Sequence, residues 1–227
     1  MEFAPSLSST AFLDHDSPEI RRFVEDVLPD GGQDPRDRAV KLYYAVRDRI
    51  RYEIYGADLS REGLTASQVL KAGKGMCLHK SVLYVSALRA VDIPARIVLT
   101  DVRNHLSSEA VREFIGGEVF HYHALTSLHL GRWIRATPVF NRLLCRLYGI
   151  SPLEFDGRGD SLHHPYDENG RAHMEFLQEH GEFDDLPYDQ VLDGLRREHP
   201  GIFTGPAAAR FVPGSLEADA RTAPAPR

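Results

Sequence analysis

The stretch Gly73-Lys74-Gly75-Met76-Cys77-Leu78-His79-Lys80-Ser81 constrains this chain most. A glycine-rich turn runs directly into an apolar helix pattern, and a cysteine falls at the junction. Val82, Leu83, Val85, Ala87 and Leu88 give that helix a broad apolar face, which predicts a central element over about Met76 to Val91. Main-chain N–H groups and the positive end of the helix favour a thiolate at such a position, and the thiolate is the reactive form of cysteine.

The period changes after Asp92-Ile93-Pro94. Ala95 to Thr100 reads as a strand, Val119 to Leu130 as a second, and Trp133 to Thr137 as a third after the tight turn at Gly131-Arg132. Before the cysteine the pattern is helical. Ser17-Pro18-Glu19 and Asp34-Pro35 are helix starts, with a polar cap and proline in the first turn. A short helix follows Thr65. Residues 53–64 read as a loop, and Asp101 to Gly117 as a polar excursion with a helix over Glu109 to Phe114. Phe140 to Tyr148 and Tyr188 to Glu198 read as helices, whereas Ser151 to Gly181 shows little periodicity. Helices followed by a meander of strands predict an α+β fold with an antiparallel sheet. The expected organisation is a lead-in over 1–16, one domain over 17–200 (core about 65–141, C-terminal lobe 142–200), and a flexible tail over 201–227, where Ala, Pro and Arg dominate.

Composition narrows the chemistry. The formal net charge of −6 argues against a nucleic-acid partner. Two cysteines, Cys77 and Cys145, are too few for a disulfide scaffold or an all-cysteine zinc site. No apolar run approaches the roughly 18 residues of a membrane span, and no secretory signal is visible, so a soluble cytoplasmic protein with no membrane partner is expected. The His- and acid-bearing stretch from Glu154 to Glu175 matches no standard zinc spacing; a polar lid fits it better, and neither metal nor cofactor is expected.

A cysteine nucleophile needs a base, usually histidine, and a group that orients the imidazole. Of eleven histidines, His123 in Phe120-His121-Tyr122-His123-Ala124-Leu125 has the best context. Strand alternation puts His121 on the same face, so periodicity alone does not choose between them. His79, two residues past the cysteine, falls on the wrong side of the helix. Cys145 lies on an amphipathic helix and reads as core.

The segment Thr65 to Val98 resembles the core of the transglutaminase-like cysteine superfamily, whose fold is papain-like. The resemblance rests on Gly75-Met76-Cys77 and on Leu88-Arg89-Ala90-Val91-Asp92-Ile93-Pro94-Ala95-Arg96. It continues through His123-Ala124-Leu125, Gly131-Arg132-Trp133 and Thr137-Pro138. It implies Cys77 as nucleophile, His123 as its base, and a cysteine helix packed on an antiparallel sheet. The family usually carries aspartate before that proline; this chain has Thr137, whose hydroxyl can accept a hydrogen bond from imidazole but bears no charge. Asn141 is a second candidate orienter, and Asp156 or Asp160 a third. The implied activity is acyl transfer through a thioester on a peptide, protein or small amide or acyl substrate. Hydrolysis is favoured because deacylation by water needs no second binding site. The rival reading is a non-catalytic binding module on the same scaffold.

Overall fold

The computed structural model describes residues 3–32, 34–105, 107–162, 174–204, 216 and 218. Helices α1 (Pro18–Val27) and α2 (Pro35–Arg49) come first, and each begins as its sequence predicts. Ser17 accepts a hydrogen bond from the N–H of Ile20, and Asp34 one from Asp37. A two-residue strand β1 (Arg51–Tyr52), helix α3 (Ala66–Ala72), a matching strand β2 (Lys74–Gly75) and the cysteine helix α4 (Cys77–Arg89) follow. Then come β3 (Ala95–Asn104), α5 (Glu109–Ile115), β4 (Val119–His129), β5 (Trp133–Ala136), α6 (Arg142–Tyr148), β6 (Met174–Phe183), α7 (Tyr188–Glu198) and α8 (Pro200–Thr204).

The main sheet runs β5-β4-β3-β6, with every neighbouring pair antiparallel. This is the expected α+β architecture. Helix α4 packs on β4 and β3 from one side and against α2 and α3 from the other, so every residue from Cys77 to Arg89 is buried. A helix buried all round is the structural core of its domain.

Polar side chains on so buried a helix need partners, and most of them tie α4 to its neighbours. Lys80 Nζ donates to the carbonyls of Arg47 (2.8 Å) and Ile50 (2.6 Å), closing the C-terminal end of α2. Burial pushes its ammonium well below the usual lysine value. Tyr84 donates to Ala39 O, and Ser81 Oγ to Ala124 O on β4. Arg89 reaches three carbonyls, those of Ala95, Ser8 and Asp184, so its guanidinium ties the start of β3 to two distant loops. The Leu-Arg-Ala-x-x-Ile-Pro-Ala-Arg ending thus owes its first arginine to tertiary anchoring.

Two features depart from the sequence expectation. β6 falls in the stretch where no periodicity shows. It is an edge strand with most of its side chains in solvent, so no buried face imposes alternation on it. β1 and β2 are two residues each, too short to leave a pattern, yet they form a parallel pair that fixes the glycine turn.

The expected tail lies mostly outside the described residues, as does the 163–173 stretch that carries His163, His164 and His173. Among the described residues, no helix is long and apolar enough to cross a membrane, and no group of three or more His, Cys, Asp or Glu is placed to hold a metal ion.

Candidate active site

Two glycines set up the cysteine. Gly73 ends α3 with φ +63°, the left-handed conformation that glycine adopts without strain. Gly75 solves a different problem: a Cβ there would lie 2.5 Å from His79 Cβ and 2.6 Å from its Cγ. Main-chain bonds from Arg51 N to Gly73 O (2.9 Å) and from Glu53 N to Gly75 O (3.1 Å) hold the turn against β1. Met76 caps the helix in an extended conformation, and Cys77 is its first residue.

On the facing sheet, β5 pairs with Thr126–His129 only. Upstream of that pairing, α4 meets β4 directly. Ser81 takes the carbonyl of Ala124, while the main-chain N–H of Ala124 bears on the sulfur of Cys77. The thiol therefore sits against the residue next to His123. Burial pushes it up to about 11, against the opposing pull of the N–H groups of Ala124, Leu78 and Cys77 itself. Tyr52 lies close enough for its phenol and the thiol to act on each other electrically.

His123 is 3% exposed, and its Nε2 is buried with no hydrogen-bond partner. Burial lowers its pKa to about 4. At neutral pH Cys77 is therefore a thiol and His123 a neutral imidazole. Thr137 Oγ1 is likewise buried without a partner. Thr137 follows β5 just beyond its pairing with β4, and its N–H donates to Ser161 O. His123 Nε2 and Thr137 Oγ1 both being unpartnered, the hydroxyl does not hold the imidazole in this conformation.

The other candidate orienters bond elsewhere. Asn141 Oδ1 accepts the N–H of Tyr52 at 3.1 Å, so it secures the segment beside the thiol. Asp156 accepts from Arg158 N and Asp160 from Arg135 N, both in local or edge contacts. His79 turns away from the sulfur: its Nε2 lies 2.9 Å from Asp58 O. Cys145 is buried on α6, its thiol 3.7 Å from Phe140 O.

The expectation that His121 and His123 share a face is corrected. Tyr122 has φ +56°, and the β3–β4 register shifts between Thr100 and Val102. This bulge inserts a residue and resets the alternation. Phe120 and His123 come to line one cavity, while His121 turns to Asp101. Asp101, at the bulge in β3, accepts from Tyr122 N (3.1 Å) and meets His121 Nδ1 (2.9 Å) and His180 Nε2 (2.6 Å). Burial works against its ionisation, but these three partners outweigh it and hold its pKa below the usual carboxylate value. Sequence reading missed this cluster, because His180 reaches it only through β6.

The cavity beside His123 measures about 50 Å³ and is largely apolar, with Tyr52, Phe140, Tyr148, Met174 and Leu216 among its walls. Cys77 does not border it.

A thiol at the start of a core helix, set against a histidine-bearing strand of an antiparallel sheet, defines a cysteine-protease-like α+β fold. The family model of the transglutaminase-like superfamily matches residues 23–138. The chain belongs to that superfamily. No curated protein matches it. Among solved structures it is similar to a candidate cysteine protease from Cytophaga hutchinsonii, with 16% identity and a TM-score of 0.50 over 84% of this chain. That match spans 50% of the neighbour, so this chain corresponds to about half of its length.

Proposed function

We propose that the protein is an acyl-transfer enzyme that works through a thioester on Cys77, with His123 as the base. The observation that carries this reading is that the Cys77 thiol meets β4 at Ala124, the residue next to His123. The sulfur of Cys77 lies against the main-chain N–H of Ala124, and the adjacent His123 keeps an unpartnered ring nitrogen. Buried polar atoms are normally bonded, and the unpartnered nitrogen of His123, one residue from the contact with the sulfur, leaves this imidazole available to take a proton.

As the sulfur attacks the substrate carbonyl, its proton passes to the imidazole; the imidazole then returns it to the departing amine or alcohol, leaving a thioester. Main-chain N–H groups at the start of α4 face the developing oxyanion. Water, activated by the same imidazole, attacks the thioester, its proton returns to the sulfur, and the acid is released. Thr137 is the proposed positioning residue for the imidazolium, its hydroxyl rotating to accept from the ring N–H. Asn141 acts one step further out, through Tyr52. The substrate is an amide or related acyl group on a peptide, protein or small molecule. No cofactor, metal, nucleic acid or membrane takes part in the proposed reaction.

Cys77→Ala is expected to abolish hydrolysis of an activated acyl substrate while leaving the melting temperature near the parent's. Retained turnover in that variant refutes the proposal.

The second reading is a binding module on the same scaffold. It is favoured by the neutral thiol and imidazole and by a hydroxyl where the family usually has a carboxylate. Alkylation rates separate the two readings. A Cys77 whose alkylation by iodoacetamide near pH 7 depends on His123, falling in His123→Ala, supports catalysis. One whose reactivity rises only as pH approaches about 11, with or without an acyl substrate, supports the module.

A further inference from the structure

We infer that the cavity beside His123 is one subsite for a peptide substrate, built to take a leucine-sized apolar side chain, and that Leu216 of this chain occupies it in the resting protein. The inference rests on the proposed acyl-transfer site, since it assigns the substrate class of that same site.

Leu216 lies 78 residues beyond the sequence positions that form the matched family core, which ends at 138. Even so, its side chain is 4% exposed and packs in the main hydrophobic cluster. It forms part of the wall of the cavity that His123 and Tyr52 also border. With this side chain in place the free space is about 50 Å³, enough for a few water molecules.

The main chain of Leu216 is held as well. Its N–H donates to Glu53 Oε2 at 3.3 Å. Glu53 is itself only 4% exposed, and its other oxygen is fixed by the N–H groups of Ile54 (3.0 Å) and Tyr55 (3.1 Å). A carboxylate placed in this way beside an apolar hole reads two features of a peptide at once: a main-chain N–H and the side chain on the same residue. Glu53 follows Tyr52 and bonds through its own N–H to the turn before Cys77, so this recognition point is wired to the loop that positions the sulfur.

An intramolecular occupant competes with any free ligand through its effective concentration. The resting enzyme is therefore self-blocked, and a peptide that carries leucine must displace Leu216.

The test uses the full chain with Cys77→Ala, so that binding is read without chemistry. Its own failure is thereby separate from failure of the acyl-transfer reading, which shows as turnover retained by Cys77→Ala. Fluorescein-labelled Pro-Gly-Ser-Leu-Glu-Ala-Asp, the sequence of residues 213–219, is titrated by anisotropy against this chain with and without Leu216→Asp. Leu216→Asp is expected to bind the peptide at least about tenfold more tightly than the chain that keeps Leu216. The same peptide with aspartate for leucine should bind neither, and adding Glu53→Gln should weaken the gain. Equal binding to the two chains overturns the inference. So does a collapse of the fold in both Leu216→Asp and Leu216→Ala, which would make Leu216 a fixed part of the core rather than a displaceable occupant.

Discussion

His121 and His123 stand two residues apart on β4 and live in opposite electrostatic worlds. His121 is partly exposed and bonded to Asp101, whose carboxylate also gathers His180 and the N–H of Tyr122. His123 faces a small apolar cavity, with its Nε2 unpartnered and its pKa pulled to about 4 by burial. One cluster is fully satisfied and holds three elements together: β3, β4 and β6. The other region holds a buried thiol, an unpartnered imidazole nitrogen and an unpartnered hydroxyl, each of which costs stability. Local satisfaction thus separates a polar cluster that shapes the fold from one available for chemistry.

The largest expected effect separates the two histidines in turnover. His123→Ala should lower it by about 10²–10⁴-fold, the usual worth of a general base, whereas His121→Ala should leave it close to the parent's. Steady-state rates on one acyl substrate suffice. Equal losses would mean that the bulge does not divide their roles.

The second contrast is in stability against pH. The folded pKa of His123 lies below its unfolded value, so the unfolded chain takes up the proton first as pH falls. Stability is then complete above about 6.5 and is lost between there and about 4, by roughly 3 kcal/mol if His123 acts alone. Asp101 works lower on the scale. Its folded pKa is also depressed, so its contribution is present above the ordinary aspartate value near about 4 and fades as pH falls through the folded one. Urea melts across this range should show a shallower decline for His123→Asn than for the parent, with the difference in slope confined to about pH 4–6.5 and the accumulated gap retained below it. A curve unchanged by His123→Asn would show that the other buried histidines carry the whole effect.

The smallest contrast is in stability at neutral pH. Asp101→Ala strands the N–H of Tyr122 and two imidazoles and should cost on the order of 3 kcal/mol. Thr137→Val removes an unpartnered hydroxyl at nearly constant volume and should be neutral or slightly stabilising. Denaturant midpoints check both.

The sequence made the site's first half legible and the second half only through resemblance. Cys77 at a helix start is readable from Gly73, Gly75 and the apolar run, because local sterics and capping act within a few residues. The α+β architecture was readable for the same reason: α4, β3, β4 and β5 each bury a patterned face. The separation of His121 from His123 was not readable, since it depends on Tyr122 adopting φ +56° under the pull of Asp101, twenty-one positions earlier in the chain. Nor was β6, whose exposed edge carries no periodic signal. Asn141 illustrates a third limit. Its residue type fits an orienter of histidine, but Oδ1 is committed to the N–H of Tyr52, a contact eighty-nine positions away that only the folded chain brings about.

The acyl-enzyme itself offers the most direct measurement. The protein is mixed with a p-nitrophenyl ester, quenched in acid within the first turnover, and weighed intact, with the adduct located by peptide mapping. One acyl group on Cys77, absent in Cys77→Ala and strongly slowed in His123→Ala, is the predicted result. An adduct that forms on Cys145 as readily as on Cys77, or at a rate indifferent to His123, contradicts the account.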